Sequence, residues 1–221
     1  MSIATLILGN SGTGKSSSLR ELDPAKTLLI QCINKPLPFR ADGWKRRVQI
    51  KDEGNVFVTS SAQMIHRLMS QSPHDVVVID DFQAMMVDEL MSRSAEKGYE
   101  KFSDIGKNAW SIFTLAGQLA PHRRVYILAH TQSDDYGQVR MKTVGRMVDE
   151  KIVPESYFTI VLRTHVEAGT YSFSTQSNGS DCCKSPMQMF QDMLIPNDLA
   201  AVDAVVSEFY GLSQPDAPAS N

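Results

Sequence analysis

The chemistry-bearing residues of this chain begin at its ninth position. Gly9-Asn10-Ser11-Gly12-Thr13-Gly14-Lys15-Ser16 spells G-x-x-x-x-G-K-[ST] without a mismatch, and Ser17 follows it. Glycine lets a backbone turn tightly enough for successive N–H groups to point inward at one anion. A helix opening behind the loop adds the positive end of its dipole. In such a loop Lys15 bridges the β- and γ-phosphates of a nucleotide, and the Ser16 hydroxyl binds Mg²⁺. The bland alternative is a glycine-rich turn that happens to hold a lysine. An apolar run, Ile3 to Leu8, precedes the loop, and a helical stretch, Lys15 to Leu22, follows it. That context is what separates a phosphate cradle from a chance turn.

A second constellation lies in Asp75-Val76-Val77-Val78-Ile79-Asp80-Asp81. Four apolar residues make a buried strand, and Asp80 emerges at its C-terminal end, where open α/β sheets hold their ligands. A carboxylate there suits Mg²⁺. Asp81 is placed either to orient an attacking water or to cap the following helix, two roles that do not exclude one another. Val125 to Ala129 forms a third apolar run, ending in His130-Thr131-Gln132. His130 or Gln132 at that tip could sense a γ-phosphate, and His130 could equally be a strand-end residue bonded to the backbone.

These residues need a scaffold, and the apolar patterning supplies one. Residues 27–30, 48–50, 56–58, 76–79, 125–129, 158–162 and 171–174 read as strands, the last two as an antiparallel pair. Residues 61–70, 82–91 and 109–119 read as helices. Leu199, Val202, Val205, Val206 and Phe209 mark one face of a last helix, closed by Gly211. Strands alternating with helices predict an α/β fold with a mostly parallel central sheet. Residues 1–212 are expected to form one ATPase domain and 213–221, rich in Ser, Pro, Ala and Asp, a disordered acidic tail.

Composition narrows the function classes. The chain has 221 residues, 42% hydrophobic and 21% charged, with 22 Lys/Arg against 25 Asp/Glu. That describes a globular domain with an ample core rather than a disordered or disulfide-stapled chain. No run approaches the roughly 20 apolar residues of a membrane span, and the N-terminus lacks a signal-peptide pattern. The three cysteines show no zinc spacing, and reduced thiols point to a cytoplasmic setting. A net charge of −3 excludes a broadly basic nucleic-acid coat. The charge is uneven: eight Lys/Arg crowd Arg20 to Lys51, and no Lys or Arg follows Lys184.

Taken together, GNSGTGKS, VVVIDDF and ILAHTQ resemble the RecA-like P-loop ATPases. The stretch Tyr99 to Trp110 and the late runs Ser172 to Gly179 and Lys184-Ser185-Pro186 are similar to the small phage nucleotide-binding proteins of that type. These include the single-strand annealing recombinases built from a bare RecA core (the Sak group). The resemblance implies an ATP- and Mg²⁺-dependent ATPase, slow or DNA-stimulated, assembled into rings or filaments and acting in the cytoplasm of a bacterial host. It implies single-stranded DNA as a partner, and a single-strand binding protein beside it, with no membrane involved. DNA would lie along loops 92–108 and 133–146, the second carrying Tyr136, Arg140, Lys142 and Arg146. A basic residue of a neighbouring subunit, corresponding to Lys142, Arg146 or Lys184, would reach the γ-phosphate in trans.

The chain departs from the family at one point: no acid follows the second core strand, where a catalytic glutamate is usual. Either Asp81 takes that role or nucleotide mainly drives assembly. The competing function class is a nucleotide switch or motor, in phage replication or assembly, that never pairs DNA. A small-molecule kinase shares the loop but needs an arginine-rich lid, and no such segment is evident.

Overall fold

A computed structural model describes residues 1–145 and 147–212. The predicted tail, 213–221, and Arg146 lie outside the described residues. The main sheet has nine strands. In chain order they are β1 (Ile3–Leu8), β2 (Thr27–Gln31), β3 (Arg46–Arg47), β4 (Val56–Val58), β5 (Val76–Asp80), β6 (Arg124–Ala129), and, after a separate hairpin of β7 (Thr131–Ser133) and β8 (Val139–Met141), β9 (Ile160–Glu167), β10 (Thr170–Ser174) and β11 (Leu194–Pro196). Their spatial order is β11-β10-β9-β1-β6-β5-β2-β4-β3. The seven strands from β9 to β3 run parallel, and β10 and β11 are antiparallel at one edge. The phosphate-loop strand β1 is separated from the aspartate strand β5 by β6, the arrangement of a RecA-like P-loop ATPase core.

The helices are α1 (Ala62–Gln71), α2 (Gln83–Ser92), α3 (Glu100–Gln118) and α4 (Leu199–Phe209). Strand alternation divides the apolar runs between two layers. Leu6, Leu8, Leu28, Ile30, Val77, Ile79, Val125 and Ile127 face a core completed by α1, α2 and α3. Ile7, Leu29, Val76, Val78, Tyr126 and Leu128 face the opposite core, closed by α4, Leu19 and Trp44. Helices on both faces explain why the central strands read as unbroken apolar runs. Phe113 anchors the first core, with Phe82 at 5.0 Å and Phe158 at 5.7 Å between ring centroids.

Four sequence expectations are corrected. The helix after the loop is a six-residue 3₁₀ turn, Ser16–Glu21, rather than an α-helix. Three successive serines favour local backbone bonding, seen in Ser18 Oγ donating to Lys15 O at 2.6 Å, and Pro24 blocks extension. Residues 48–50 form a turn instead of a strand, because Val48 and Gln49 N–H groups both donate to Asp52 Oδ2. The predicted strand at 158–162 is β9, a parallel neighbour of β1 that pairs antiparallel only with β10. The last is α3, which starts nine residues early, so 100–108 of the expected DNA loop 92–108 is helix.

Candidate functional site

The parallel strands all end at one edge of the sheet, and the polar residues collect there. Gly9 leaves β1 with its N–H on Ala129 O, which ties the loop to the tip of β6. A Cβ on Gly9 would fall 1.8 Å from Thr164 Oγ1 of β9, so the crossing strand admits only glycine. Gly14 takes φ +97°, and a Cβ there would sit 3.0 Å from both Tyr171 and Asn197. Thr13 Oγ1 donates to Asn10 O at 2.7 Å and lies 2.6 Å from Thr164 Oγ1, fixing the loop's crest. Thr131 Oγ1 bonds Asn10 Oδ1 from the other side.

Inside this cradle Lys15 is 5% exposed, and its Nζ donates to Gly9 O (2.8 Å) and Asn10 O (2.9 Å). Burial lowers its pKa to about 8, with Asp81 and Asp80 opposing. Ser16 Oγ donates to Asp80 Oδ2 at 2.8 Å, with Oδ1 at 3.1 Å. The expected metal pair, 64 residues apart in sequence, is therefore in direct contact. Asp80 is 1% exposed, and burial together with the charge of Asp81 pushes its carboxyl up to about 6. Among the described residues no cluster of three or more His, Cys, Asp or Glu is arranged to hold a metal. One hydroxyl and one carboxylate do fit Mg²⁺, which binds few protein ligands and takes the rest from phosphate and water.

Asp81 does not cap α2. The helix begins after Phe82 with no side-chain cap, and Asp81 takes φ +58°, a strained value for a non-glycine residue. That twist turns its carboxylate back over the strand end. There Oδ2 pairs with Lys35 Nζ and Oδ1 lies 3.5 Å from His130 Nε2. Burial lowers the His130 pKa, and Lys15 adds to the effect. Burial also works to lower that of Lys35, but its hydrogen bond to Asp81 and the charge of Asp80 prevail and raise it.

A cavity of about 680 Å³ opens over these groups. Ser11, Gly12, Gly14, Lys15, Ser16 and Ser17 line its floor, with Lys35, Asp81 and His130 at one end. Tyr171, Pro196 and Asn197 line it too, contributed by the antiparallel edge. Asn197 is 5% exposed, and its Nδ2 has no hydrogen-bond partner among the described residues. Arg20 also lines the cavity, held by Asn197 O at 2.7 Å.

Gln132 and the expected basic residues are not among the lining residues of this cavity. Gln132 donates to Asp149 Oδ1 at 3.2 Å. Tyr136, 93% exposed, sits at the turn of the β7–β8 hairpin, where Arg140 pairs with Asp134 at 3.3 Å. Lys142 is exposed, and its N–H donates to His130 O at 2.7 Å. Lys184 is bridged by its backbone to Val161, at the level of Leu6 in mid-sheet. Lys35, Tyr171, Asn197 and Thr164 have no sequence signal: each acts from a loop or edge strand that carries no phosphate-binding pattern.

No family model and no curated protein matches the chain. Among solved structures the chain is similar to the ATPase domain of a replicative helicase, at 12% identity and a TM-score of 0.40, covering 74% of this chain and 69% of that one.

Proposed function

We propose that this protein is a Mg²⁺-dependent ATPase whose turnover is linked to single-stranded DNA. The observation that carries the nucleotide reading is the contact of Ser16 with Asp80 beneath a cavity floored by the loop and Lys15. A glycine-rich turn with a chance lysine has no reason to bury that lysine beside two aspartates.

The residues divide the work as follows. Loop N–H groups from Gly9 to Ser17 and Lys15 hold the phosphates. Tyr171 offers a ring face and Asn197 a free amide donor to the nucleoside. Ser16 and Asp80 would hold Mg²⁺, which supplies charge neutralisation at the β- and γ-phosphates when bound. In hydrolysis the oxygen of a water bonds to Pγ while the bond from Pγ to the β,γ-bridging oxygen breaks. The bond pair stays on ADP, inorganic phosphate leaves, and Asp81 takes the water's proton. His130 holds Asp81 in place and lies beside the γ-phosphate position.

The DNA part of the reading rests on the β7–β8 hairpin. It leaves the sheet directly after His130 and returns to it through the Lys142 N–H. An aromatic and two cations, Tyr136, Arg140 and Lys142, project from this arm, the mixture that single strands favour. Annealing of complementary strands by an oligomer of such subunits is the use we infer for it. The test is ATP hydrolysis with and without single-stranded DNA, alongside DNA binding in Mg²⁺-ATP at low salt. Stimulation with binding supports the reading. Hydrolysis without any DNA affinity leaves a nucleotide switch or motor, and absence of ATP binding removes both.

A further inference from the structure

We propose that Lys35 is the cation for the γ-phosphate, supplied by the same chain and latched onto Asp81 until a nucleotide arrives, so that hydrolysis needs no residue from a neighbour. The inference rests on the ATPase reading and goes beyond it by naming where the transition-state charge comes from.

Placement comes first. Lys35 lies four residues past the end of β2, and β2 is the direct neighbour of β5, with Gln31 level with Asp80. This is the region where the family carries an acid; here it carries a lysine. Its backbone is clamped: Lys35 O accepts from Gln31 Nε2 at 3.3 Å and from Arg46 Nη2 at 2.9 Å, and Pro36 follows. A fixed Cα with a long side chain gives an ammonium that can swing over a few ångströms without moving the loop. That side chain is 38% exposed and enters the cavity at the end where Asp81 and His130 stand.

Elimination comes second. Among the described residues, the Lys and Arg side chains lining the cavity are Lys15, Arg20 and Lys35. Lys15 belongs to the cradle, where it serves the β- and γ-phosphates together. Arg20 is occupied by the carbonyls of Ser17 and Asn197 and by Glu21. Lys142 and Lys184 are absent from the lining. Of the three, Lys35 alone stands at the far end, and its partner there is the carboxylate that must become free to receive a proton.

The exchange is balanced in charge. With the cavity free of nucleotide, Lys35 neutralises Asp81. When a triphosphate enters, the ammonium trades that carboxylate for a γ-phosphate oxygen, one ion pair for another. Asp81 is then unmasked beside the attacking water. A diphosphate offers no γ-oxygen and leaves the latch closed. The device therefore reads the third phosphate.

The test compares Lys35→Ala, Lys35→Met and Lys35→Arg with wild type. Titration calorimetry with ADP and with ATPγS gives a readout independent of turnover. Expected is a tenfold or greater loss of ATPγS affinity in the Ala and Met variants, with ADP affinity within twofold of wild type. Turnover should fall by about 10²–10³, the usual cost of one donor to developing oxyanion charge, and Lys35→Arg should recover part of it. Wild-type turnover per subunit should hold constant on dilution from oligomer to monomer. Equal losses for ADP and ATPγS, unchanged turnover in Lys35→Ala, or a wild-type rate that collapses on dilution would each overturn the proposal. If the Ala and Met variants do not fold, the Arg variant and the wild-type dilution series decide it alone. Wild type that binds no ATP would instead defeat the ATPase reading beneath it.

Discussion

The two ends of β6 each face a carboxylate cluster, and the clusters are built on opposite terms. At its start, Asp203 of α4 receives Arg124 Nε and Nη2 at 2.9 and 3.0 Å and the Tyr126 hydroxyl at 2.6 Å. Three donors meet one carboxylate, in a helix interior with ordinary backbone. At its finish, Asp80 and Asp81 are adjacent in sequence, both almost wholly buried, and one has a left-handed backbone. Their cations, Lys15 and Lys35, sit on long flexible stems. The first cluster is satisfied and docks α4 onto the sheet. The second stores like-charge repulsion, desolvation and backbone strain at the place where an anion and a metal would relieve them.

The largest effect should come from the unsatisfied end. Lys15→Ala removes the cradle's own point charge and should lower ATP affinity more than a hundredfold in a binding titration, with thermal stability unchanged or raised. Tight Mg²⁺-ATP binding by a folded Lys15→Ala protein would erase the functional side of the comparison. Asp203→Ala should do the reverse. It strips three donors of their acceptor and should cost about 3 kcal/mol, a fall of roughly 6–12 °C in melting temperature for a chain of this size. ATP affinity should change by less than threefold. A loss of binding as large as the loss of stability would mean that the two ends are one unit.

This contrast also explains what the sequence could and could not disclose. The cradle and the Asp80-Asp81 pair are legible because their chemistry is local: loop geometry demands glycines at fixed spacing, and a strand end is marked by the switch from apolar to charged. The parallel strands are legible by the same token, except where the run is short, as at β3, or where direction depends on a distant partner, as at β9. Lys35 is hidden because its role comes from the β2–β5 register, which no pattern between Pro36 and Pro38 encodes. Tyr171 and Asn197 are hidden because a hairpin late in the chain folds back over Gly14. The early start of α3 leaves a trace in Phe102, Ile105 and Ala109, a helical spacing masked by the charges between them. The Asp203 cluster leaves none.

The third expectation concerns the sign of the strain. Asp80 has its carboxyl raised from 3.8 to about 6, chiefly by burial. A raised carboxyl pKa favours folding fully below pH ~4, and that contribution is lost as pH climbs through ~6. At pH 7 the nucleotide-free, metal-free protein therefore carries a cost of about 2–3 kcal/mol at this residue. Asp80→Asn should be more stable than wild type at pH 7 in EDTA by about 2 kcal/mol. The gap should close as the pH falls from about 6 to about 4, while Mg²⁺-ATP affinity is lost at every pH. A variant less stable than wild type at pH 7 would show that Asp80 is as satisfied as Asp203.

The smallest effect belongs to the hairpin beyond the β6 tip, where Arg140 and Asp134 form a third pair, 34% and 22% exposed. A pair so open to water is worth under about 1 kcal/mol. Arg140→Ala should shift the melting temperature by no more than a degree or two, unlike either end of the strand. Its consequence, if the hairpin holds single-stranded DNA, lies in the salt dependence. Removing one phosphate contact should reduce the slope of log affinity against log salt by about 0.7. Asp134→Ala should act oppositely, since it leaves stability equally untouched but frees Arg140 and deletes a negative charge from the arm. DNA affinity should rise in that variant. Because Asp134 Oδ1 also accepts the Tyr136 and Gln138 N–H groups, Asp134→Asn serves as the control that keeps the turn while removing the charge. An unchanged slope in Arg140→Ala, together with unchanged affinity in both Asp134 variants, would remove this arm from the DNA path and leave the cavity as the protein's working end.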